Sequence, residues 1–379
     1  MLNKKTIFLI MLLFVVSMIL VYTIPTLKRT GPTFYNVIGT DTVAHMGAVR
    51  SIRNGNPPWQ DQYYLSNIPR AYSWLWHWTM ASIPISVMPL LTWSPLIFWI
   101  LSLVGIFFAG YLLYGKRFGL LLALLYYLLI DKSIINPNPK NWVLALFFLS
   151  IAFIYKAFDS EKDNIKWAVG AGALIGITFM TYSMLIVLLA VPAVVVLLSL
   201  KDWKKNLKTA IIITIVGLLI SMPYWFPLVT NLDIAGMRTQ NISSSLDQFN
   251  PTNPITGLWD VTGSFFVGCW YFIPLFIIGI MALIHFKDSK MKIFGALYIV
   301  FFIGRFHDLI TRPLLGWSGV QPFYFPEYVY FLFELIIVLG FLAGMDFLTL
   351  KFGSKSEAVE KGMMISVIVT CLIIGTFGA

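Results

Sequence analysis

Four ionisable side chains stand close together in the polar stretch GTDTVAHMGAVRSIR, residues 39–53. They are Asp41, His45, Arg50 and Arg53. A carboxylate and an imidazole can exchange protons with a substrate, and guanidinium groups bind phosphate through paired hydrogen bonds. These residue types are therefore suited to proton transfer beside an anionic group.

The spacing of these residues predicts a helix that begins at Thr40 or Asp41 and ends near Arg53. Either residue is a favourable N-cap, and the Asn-Gly-Asn-Pro-Pro sequence that follows at residues 54–58 breaks a helix. Asp41 and His45 are four residues apart and so share one face of the helix. Arg50, nine residues after Asp41, lies on nearly the opposite face. The same local pattern also fits a capped helix with a solvated or interfacial face, and both interpretations stay open at this point.

The composition of the chain is that of an integral membrane protein. Of its 379 residues, 58% are hydrophobic and only 12% are charged, whereas an ordinary soluble domain is about 25% charged. The mean hydropathy is +0.81. The first apolar run, residues 6–24, follows Lys4 and Lys5 and has no small-residue cleavage site, so we interpret it as a retained anchor. The two cysteines, Cys269 and Cys371, lie in apolar segments, which excludes a disulfide framework or a cysteine-based metal site.

Eleven stretches are long or apolar enough to cross a bilayer, which predicts an all-α polytopic fold. The apolar run from residue 167 to 200 is too long for one helix, so we divide it near Tyr182. We expect residues 1–379 to form a single transmembrane domain without a soluble carboxyl-terminal domain. The expected spans are roughly 6–24, 94–114, 118–131, 142–157, 167–181, 183–200, 209–228, 263–285, 292–305, 327–348 and 362–379.

A further apolar stretch, residues 71–90, contains Trp74, Trp76, His77 and Trp78. Tryptophan prefers the membrane interface, and the prolines of this stretch are unfavourable in a spanning helix, so we interpret the three tryptophans as an interface anchor. If the stretch lies flat outside and the amino terminus is cytoplasmic, 17 of the 27 lysines and arginines fall in cytoplasmic loops. If the stretch crosses the membrane, most of these lysines and arginines fall in extracytoplasmic loops. The positive-inside rule favours the first arrangement, and it accounts for the net charge of +10 without a nucleic-acid partner.

That topology places the polar loops on the extracytoplasmic side of what we expect to be the plasma membrane. The first outer loop covers about residues 25–93, and the large outer loop about residues 229–262. Basic groups at helix ends have the depth expected for a lipid phosphate, although such residues also contact bulk lipid headgroups in most membrane proteins. Beyond the first loop the outer basic groups are Lys140, Arg238, Arg305, His307 and Arg312.

One acid, Glu334, falls well within the expected span 327–348. A charge at that depth costs about 2.5 kcal/mol or more, so it demands a partner, a polar cavity or a bound proton. A structural role in helix contacts and a functional role both stay open.

The order of these elements resembles the GT-C superfamily of membrane glycosyltransferases. Its members include the catalytic subunit of oligosaccharyltransferase, protein O-mannosyltransferases and arabinosyltransferases. The resemblance rests on one membrane helix followed by an outer Asp-x-x-x-His-x-x-x-x-Arg element, a Gly-Asn-Pro-Pro-Trp break and a flat apolar helix. The stretches 114–158, SMPYWFPLV at 221–229 and FPEYVYFLFELIIVLGFLAG at 325–344 are similar to later helices of the family.

The resemblance implies transfer of a sugar from a polyprenyl-phosphate donor in the bilayer to a glycan, lipid or protein acceptor on the extracytoplasmic face. It implies that Asp41, at the position of the family's catalytic acid, removes the acceptor proton. His45 would orient Asp41, bind the phosphate or act as the base itself. The other candidates for contact with the donor are Lys140, Arg238, Arg305 and His307.

Two features depart from the family pattern. The second outer turn, NPNPKNW at residues 136–142, lacks the acids with which oligosaccharyltransferases bind a divalent metal, so we expect neither a required metal nor another cofactor. The Trp-Trp-Asp acceptor motif is also absent, so we expect a fragment or a minimal member that does not recognise N-glycosylation sequons. Two other classes stay open: a transporter or flippase of a lipid-linked sugar, and a non-catalytic scaffold of the same fold.

Overall fold

The computed structural model describes residues 4–28, 40–58, 74–129, 139–160, 163–199, 203–231, 259–285, 289–306, 325–352, 362 and 364–369. Every regular element in these ranges is helical, which confirms the all-α class. The α-helices are α1 (Lys4–Lys28), α2 (Thr40–Arg53), α3 (Leu75–Ser82), α4 (Val87–Tyr114), α5 (Lys116–Leu129), α6 (Pro139–Asp159), α7 (Asn164–Thr181), α8 (Val191–Leu197), α9 (Trp203–Asn231), α10 (Ser264–Gly268), α11 (Ile273–His285), α12 (Ser289–Arg305) and α13 (Phe325–Phe352).

Among the described residues, five helices are long and apolar enough to cross a membrane, so the expected count of eleven spans is not confirmed. A crossing needs about 20 apolar residues, and several of the expected spans form shorter or interrupted helices. Two shorter apolar helical stretches, Leu185–Leu197 and Trp270–His285, accompany the five. The five candidate spans among the described residues are Lys5–Thr23, Pro89–Tyr114, Trp142–Asp159, Trp203–Pro227 and Tyr328–Phe347.

The break predicted near Tyr182 is confirmed. Helix α7 ends at Thr181, and Tyr182 has an extended backbone with φ −149° and ψ 104°. The chain continues as a 3₁₀ turn, Ser183–Leu189, and then as the short helix α8, which has Pro192 at its start. Proline is well tolerated in a first helical turn because its missing N–H would have no partner there. The expected single helix over 183–200 is therefore two short elements.

The chain divides into two compact units. The first comprises Met1–Pro58, Leu75–Leu149 and Leu342–Ala379, and the second comprises Trp59–Trp74 and Ser150–Phe341. The polar stretch at residues 39–53 lies in the first unit.

In the first unit, α1 is fixed by polar and aromatic contacts within otherwise apolar surroundings. The Ser17 and Tyr127 hydroxyls are hydrogen-bonded at 2.5 Å, and the Tyr127 ring meets Phe14 edge-on with centroids 5.0 Å apart. Nearer the end of α1, the Tyr22 hydroxyl donates to the carbonyl oxygen of Thr92 in α4. Polar groups buried in an apolar interior are costly unless they are paired, so these bonds determine how α1 packs. They fix the helix that leads into the polar stretch.

Helices α4 and α5 pack at backbone contact because glycines face each other. A Cβ added at Gly110 would lie 2.7 Å from the Cα of Gly119, and one added at Gly119 would collide with the carbonyl oxygen of Phe107. Small residues at such crossings let membrane helices approach closely. The turn between the two helices uses Gly115 at φ +89°, a conformation that L side chains rarely adopt.

Replacement of Gly119 by alanine is expected to separate α4 from α5 and to destabilise the first unit. The added methyl group meets backbone atoms that cannot turn aside, and such overpacking costs about 1–3 kcal/mol. The measurement is the midpoint of thermal unfolding of the purified protein in detergent. Gly344→Ala in α13 is the matched control, because nothing lies within 4 Å of its added Cβ. Equal midpoints for the two variants would contradict this close packing.

Candidate active site

The polar stretch forms the predicted helix, since α2 begins at Thr40 and ends at Arg53. The chain then turns at Gly55 with φ +90°, where the sequence predicts a break. Asp41 lies in the first turn of α2, where the positive end of the helix dipole favours an acid. The structure describes its backbone, and its side chain is outside the described set. His45 lies one turn further along the same helix.

The apolar face of α2 packs against protein. Met46 and Val49 of α2 are buried with residues of α3 and α4 in a cluster that we call the first-loop core. These two side chains are therefore covered by protein. The buried members of the first-loop core are Met46, Val49, Trp76, Met80, Leu90, Leu91 and Phe98.

The described residues of the Trp-rich stretch form the eight-residue helix α3 and, from Val87, the start of α4. At 1.5 Å per residue α3 is about 12 Å long, far less than the roughly 30 Å of a hydrocarbon core, so it does not span a bilayer as a helix. The interpretation of its tryptophans as an interface anchor is wrong for Trp76, which has no exposed surface, while Trp78 is 48% exposed. An interface preference cannot distinguish neighbouring residues on opposite faces of one short helix. The side of the membrane on which α3 lies stays a prediction.

Two histidines meet between α2 and α3. His45 Nδ1 lies 2.8 Å from His77 Nε2, a hydrogen bond between residues 32 positions apart. His45 is 7% exposed and His77 is fully buried. The Trp76 ring meets both imidazoles edge-on, with centroids 5.3 Å from His45 and 4.9 Å from His77. A single proton lies between the two facing nitrogens, so the tautomer of one ring determines that of the other.

Arg53, the last residue of α2, caps the carboxyl end of α3. Arg53 Nε donates a hydrogen bond to the carbonyl oxygen of Ala81 at 3.2 Å. Its Nη2 donates to the carbonyl oxygens of Met80 and Ile83 at 3.4 and 2.6 Å. The last carbonyls of a helix have no partner within it and carry the negative end of the helix dipole, so a guanidinium is favoured there. From its residue type alone, Arg53 is predicted to bind phosphate, and its structural role at the end of α3 has no signal in the local sequence.

The start of α6 joins the same core. Trp142 packs against the first-loop core, and its ring stacks on Phe98 with centroids 5.2 Å apart. Lys140 is the second residue of α6, two positions before the Trp142 side chain that contacts this core. The side chain of Lys140 is outside the described set. Its contact with a substrate stays a prediction.

Contact of the other candidate residues with a donor stays a prediction. Arg305 is the last residue of α12 in the second unit and is 4% exposed. Arg238 and His307 lie outside the described residues. Among the described side chains, no three His, Cys, Asp or Glu residues are grouped as a metal site.

Glu334 lies inside α13, as its position in the expected span predicts, and it is 4% exposed. Its Oε2 atom is buried and makes no hydrogen bond among the described residues. An acid at this depth is costly unless a partner, a polar cavity or a bound proton compensates for its burial.

Substitution of Arg53 by alanine is expected to loosen α3 from α2. Three carbonyl oxygens lose a charged donor, and a hydrogen bond to a charged group contributes about 1.5–3 kcal/mol. We expect a lower thermal midpoint and faster amide exchange in residues 75–83, both measured on the purified protein. Arg50→Ala is the matched control on the same helix, because Arg50 is exposed. If Arg50→Ala lowers stability as much as Arg53→Ala does, the hydrogen bonds to α3 do not carry the effect.

Comparison with known families supports the resemblance stated from the first loop. Residues 69–227 match a family model described as dolichyl-phosphate-mannose-protein mannosyltransferase. The matched segment covers less than half of the 379 residues, includes His77 and Lys140, and ends within α9. No curated protein matches the chain.

Three solved structures of the oligosaccharyltransferase of Archaeoglobus fulgidus share the fold. The complex with Zn and sulfate gives a TM-score of 0.57 at 14% identity, over 97% of this chain and 52% of that chain. AglB in complex with an inhibitory peptide and a dolichol-phosphate gives 0.55 at 12% identity, over 96% and 55%. The apo form gives 0.57 at 10% identity, over 99% and 56%.

The chain thus spans about half the length of these structures, and at such identities the likeness shows the fold alone. The fold over nearly the whole chain and the family model over its middle part agree with each other. Both findings agree with the resemblance of the first outer loop to the GT-C superfamily of membrane glycosyltransferases.

Proposed function

We propose that the chain transfers a sugar from a polyprenyl-phosphate donor to an acceptor on the extracytoplasmic face of the membrane. The observation that carries the proposal is the match of residues 69–227 to a family described by a dolichyl-phosphate sugar donor. The neighbour AglB, which shares the fold, is in complex with a dolichol-phosphate in one structure. The acceptor we propose is a glycan, a lipid or a protein.

In the proposed reaction, the Asp41 carboxylate takes the proton of an acceptor hydroxyl as the hydroxyl oxygen bonds to the anomeric carbon. The bond from the anomeric carbon to the phosphate oxygen breaks, and its electron pair leaves with the polyprenyl phosphate. A positioned carboxylate typically contributes about 10²–10⁴-fold to such a step. The position of Asp41 in the first turn of α2, one turn before the buried His45, supports this assignment.

The leaving phosphate needs hydrogen-bond donors or cations in water-poor surroundings, where such contacts are strong. Since residues 136–142 contain no acid that could hold a divalent ion, we assign this task to basic side chains. His45 and Lys140 are on helices that contact the first-loop core, and Arg305 is buried at a helix end. The candidates are His45, Lys140, Arg238, Arg305 and His307.

The sidedness that we propose puts the amino terminus in the cytoplasm and α2 outside. Lys4 and Lys5 at the start of α1 and the short α3 support it. The test replaces both natural cysteines by serine and introduces Arg50→Cys or Lys116→Cys at exposed positions on opposite sides of the expected membrane. A membrane-impermeant maleimide is expected to label Arg50→Cys in intact cells, and Lys116→Cys only after permeabilisation. The reverse pattern would overturn the proposed site.

Asp41→Asn is expected to lower kcat by about 10²–10⁴-fold, because asparagine keeps the shape of the side chain but takes no proton. The assay uses full-length protein in nanodiscs with dolichyl-phosphate mannose and follows transfer to an acceptor mixture and release of dolichyl phosphate. Asp163→Asn is the matched control, since Asp163 is an exposed acid that pairs with Lys166. Turnover of the Asp41→Asn variant at the wild-type rate would remove Asp41 as the base.

A flippase for a lipid-linked sugar is the second candidate, and the buried acid Glu334 is the observation in its favour. Reconstituted vesicles separate the two functions. A flippase moves fluorescent polyprenyl phosphate between leaflets without breaking the sugar–phosphate bond, whereas the enzyme consumes the donor. If the protein binds the donor but neither moves it between leaflets nor consumes it, the chain is a non-catalytic scaffold.

A further inference from the structure

We propose that His77 is a positioning residue, which holds His45 in one tautomer and one orientation. In that state His45 Nε2–H donates a hydrogen bond to an anionic oxygen, supplied by the Asp41 carboxylate or by the donor phosphate. The kinetic part of this inference rests on the proposed function, whereas the tautomer is a property of the protein alone.

The geometry of the pair limits what His45 can do. Its Nδ1 is occupied at 2.8 Å by His77 Nε2, so any other partner of the ring is met through Nε2. A neutral imidazole carries one proton, on one nitrogen or the other. If His77 donates to Nδ1, His45 carries its proton on Nε2 and is a hydrogen-bond donor there. If His77 accepts, His45 Nε2 is a bare acceptor.

The charged groups around the pair favour the first arrangement. α2 packs on α3 and α4. α2 carries Asp41, Arg50 and Arg53, and α3 carries only His77. α4 has no acidic, basic or histidine residue, and α6, which packs on the same core through Trp142, carries Lys140 at its start. Helical side chains lean towards the amino terminus of their helix, so His45 lies over the turn that contains Asp41. An ionised carboxylate or phosphate oxygen accepts hydrogen bonds, so His45 Nε2 must carry the proton in order to bind either one.

The fold fixes His77 itself. His77 is fully buried, and the ring of Trp76 meets it edge-on at 4.9 Å. Arg53 joins the end of α3 to α2 by three hydrogen bonds, so the two helices that carry the pair keep their spacing. A positional error of about 1 Å in a reacting group can lower a rate by about 10²-fold. A rigid partner for His45 is therefore expected to matter for turnover.

The tautomer can be measured without any enzyme assay. The chain has four histidines, so ¹⁵N labelling of imidazoles gives few signals in solid-state NMR spectra of the full chain in lipid. His45→Gln identifies the signals of His45. We expect wild-type His45 to have an unprotonated, hydrogen-bonded Nδ1 and a protonated Nε2. A proton on Nδ1 of His45 would overturn the proposal, whatever the protein is found to catalyse.

Two substitutions separate positioning from packing. His77→Phe keeps the ring but removes the donor, while His77→Gln loses the ring but offers an amide N–H to His45. Positioning predicts that kcat with dolichyl-phosphate mannose falls about 10–100-fold in His77→Phe and largely recovers in His77→Gln. A packing role predicts a higher kcat for His77→Phe than for His77→Gln, and that result would overturn the proposal. His285→Phe, at the exposed end of α11, is the control for histidine loss.

The same variants tell which anionic oxygen His45 contacts. If it is the Asp41 carboxylate, His77→Phe moves the acid limb of the kcat profile to higher pH, because the carboxylate loses a donor. If it is the donor phosphate, His77→Phe weakens binding of dolichyl phosphate severalfold and leaves that limb in place. If His77→Phe folds like the wild type and shows neither of these changes, the proposal is overturned. The NMR result stands even if Asp41→Asn proves that the chain is not a transferase.

Discussion

The buried hydrogen bond between His45 and His77 is the contact on which the candidate site depends. It joins α2, which is rich in polar residues, to α3, which is too short to be stable alone. Two imidazoles removed from water keep their hydrogen bond because breaking it would leave polar atoms buried without a partner. Arg53 adds a second link at the other end of α3, so the relative position of the two helices is fixed at two points.

The long helix α4 connects this pair of helices to the membrane-spanning part of the first unit. Near its start it contributes Leu90, Leu91 and Phe98 to the first-loop core, and further along it meets α5 at Gly110. The hydroxyl of Tyr22 also binds α4, through its second turn. The polar helix that carries Asp41 therefore rests on a rigid helical support, which is what a group that must meet a reacting atom requires.

The local features of this fold could be predicted from the sequence because their causes are local. The bounds of α2 follow from Thr40 and from the Gly55 break, and the division at Tyr182 follows from helix length. The His45–His77 bond has no local cause, since the two residues are 32 positions apart and only packing brings them together. The burial of Trp76 was missed for the same reason. The count of eleven spans is not confirmed, because an apolar run does not reveal whether it forms one helix or two short elements.

The stretch at residues 136–142, which we expect to form the second outer turn, leads into α6. The sequence NPNPKNW shows that acids are absent there, and this argues against a carboxylate-bound metal beside the leaving phosphate. The structure adds that Trp142 stacks on Phe98, so the start of α6 packs on the same core as α2. In the proposed reaction, the two outer segments would then supply hydrogen-bond donors instead of a metal ion, one from His45 and one from Lys140. A donor phosphate stabilised in this way needs each of these groups at a fixed distance, and this is the physical reason for a buried partner behind His45.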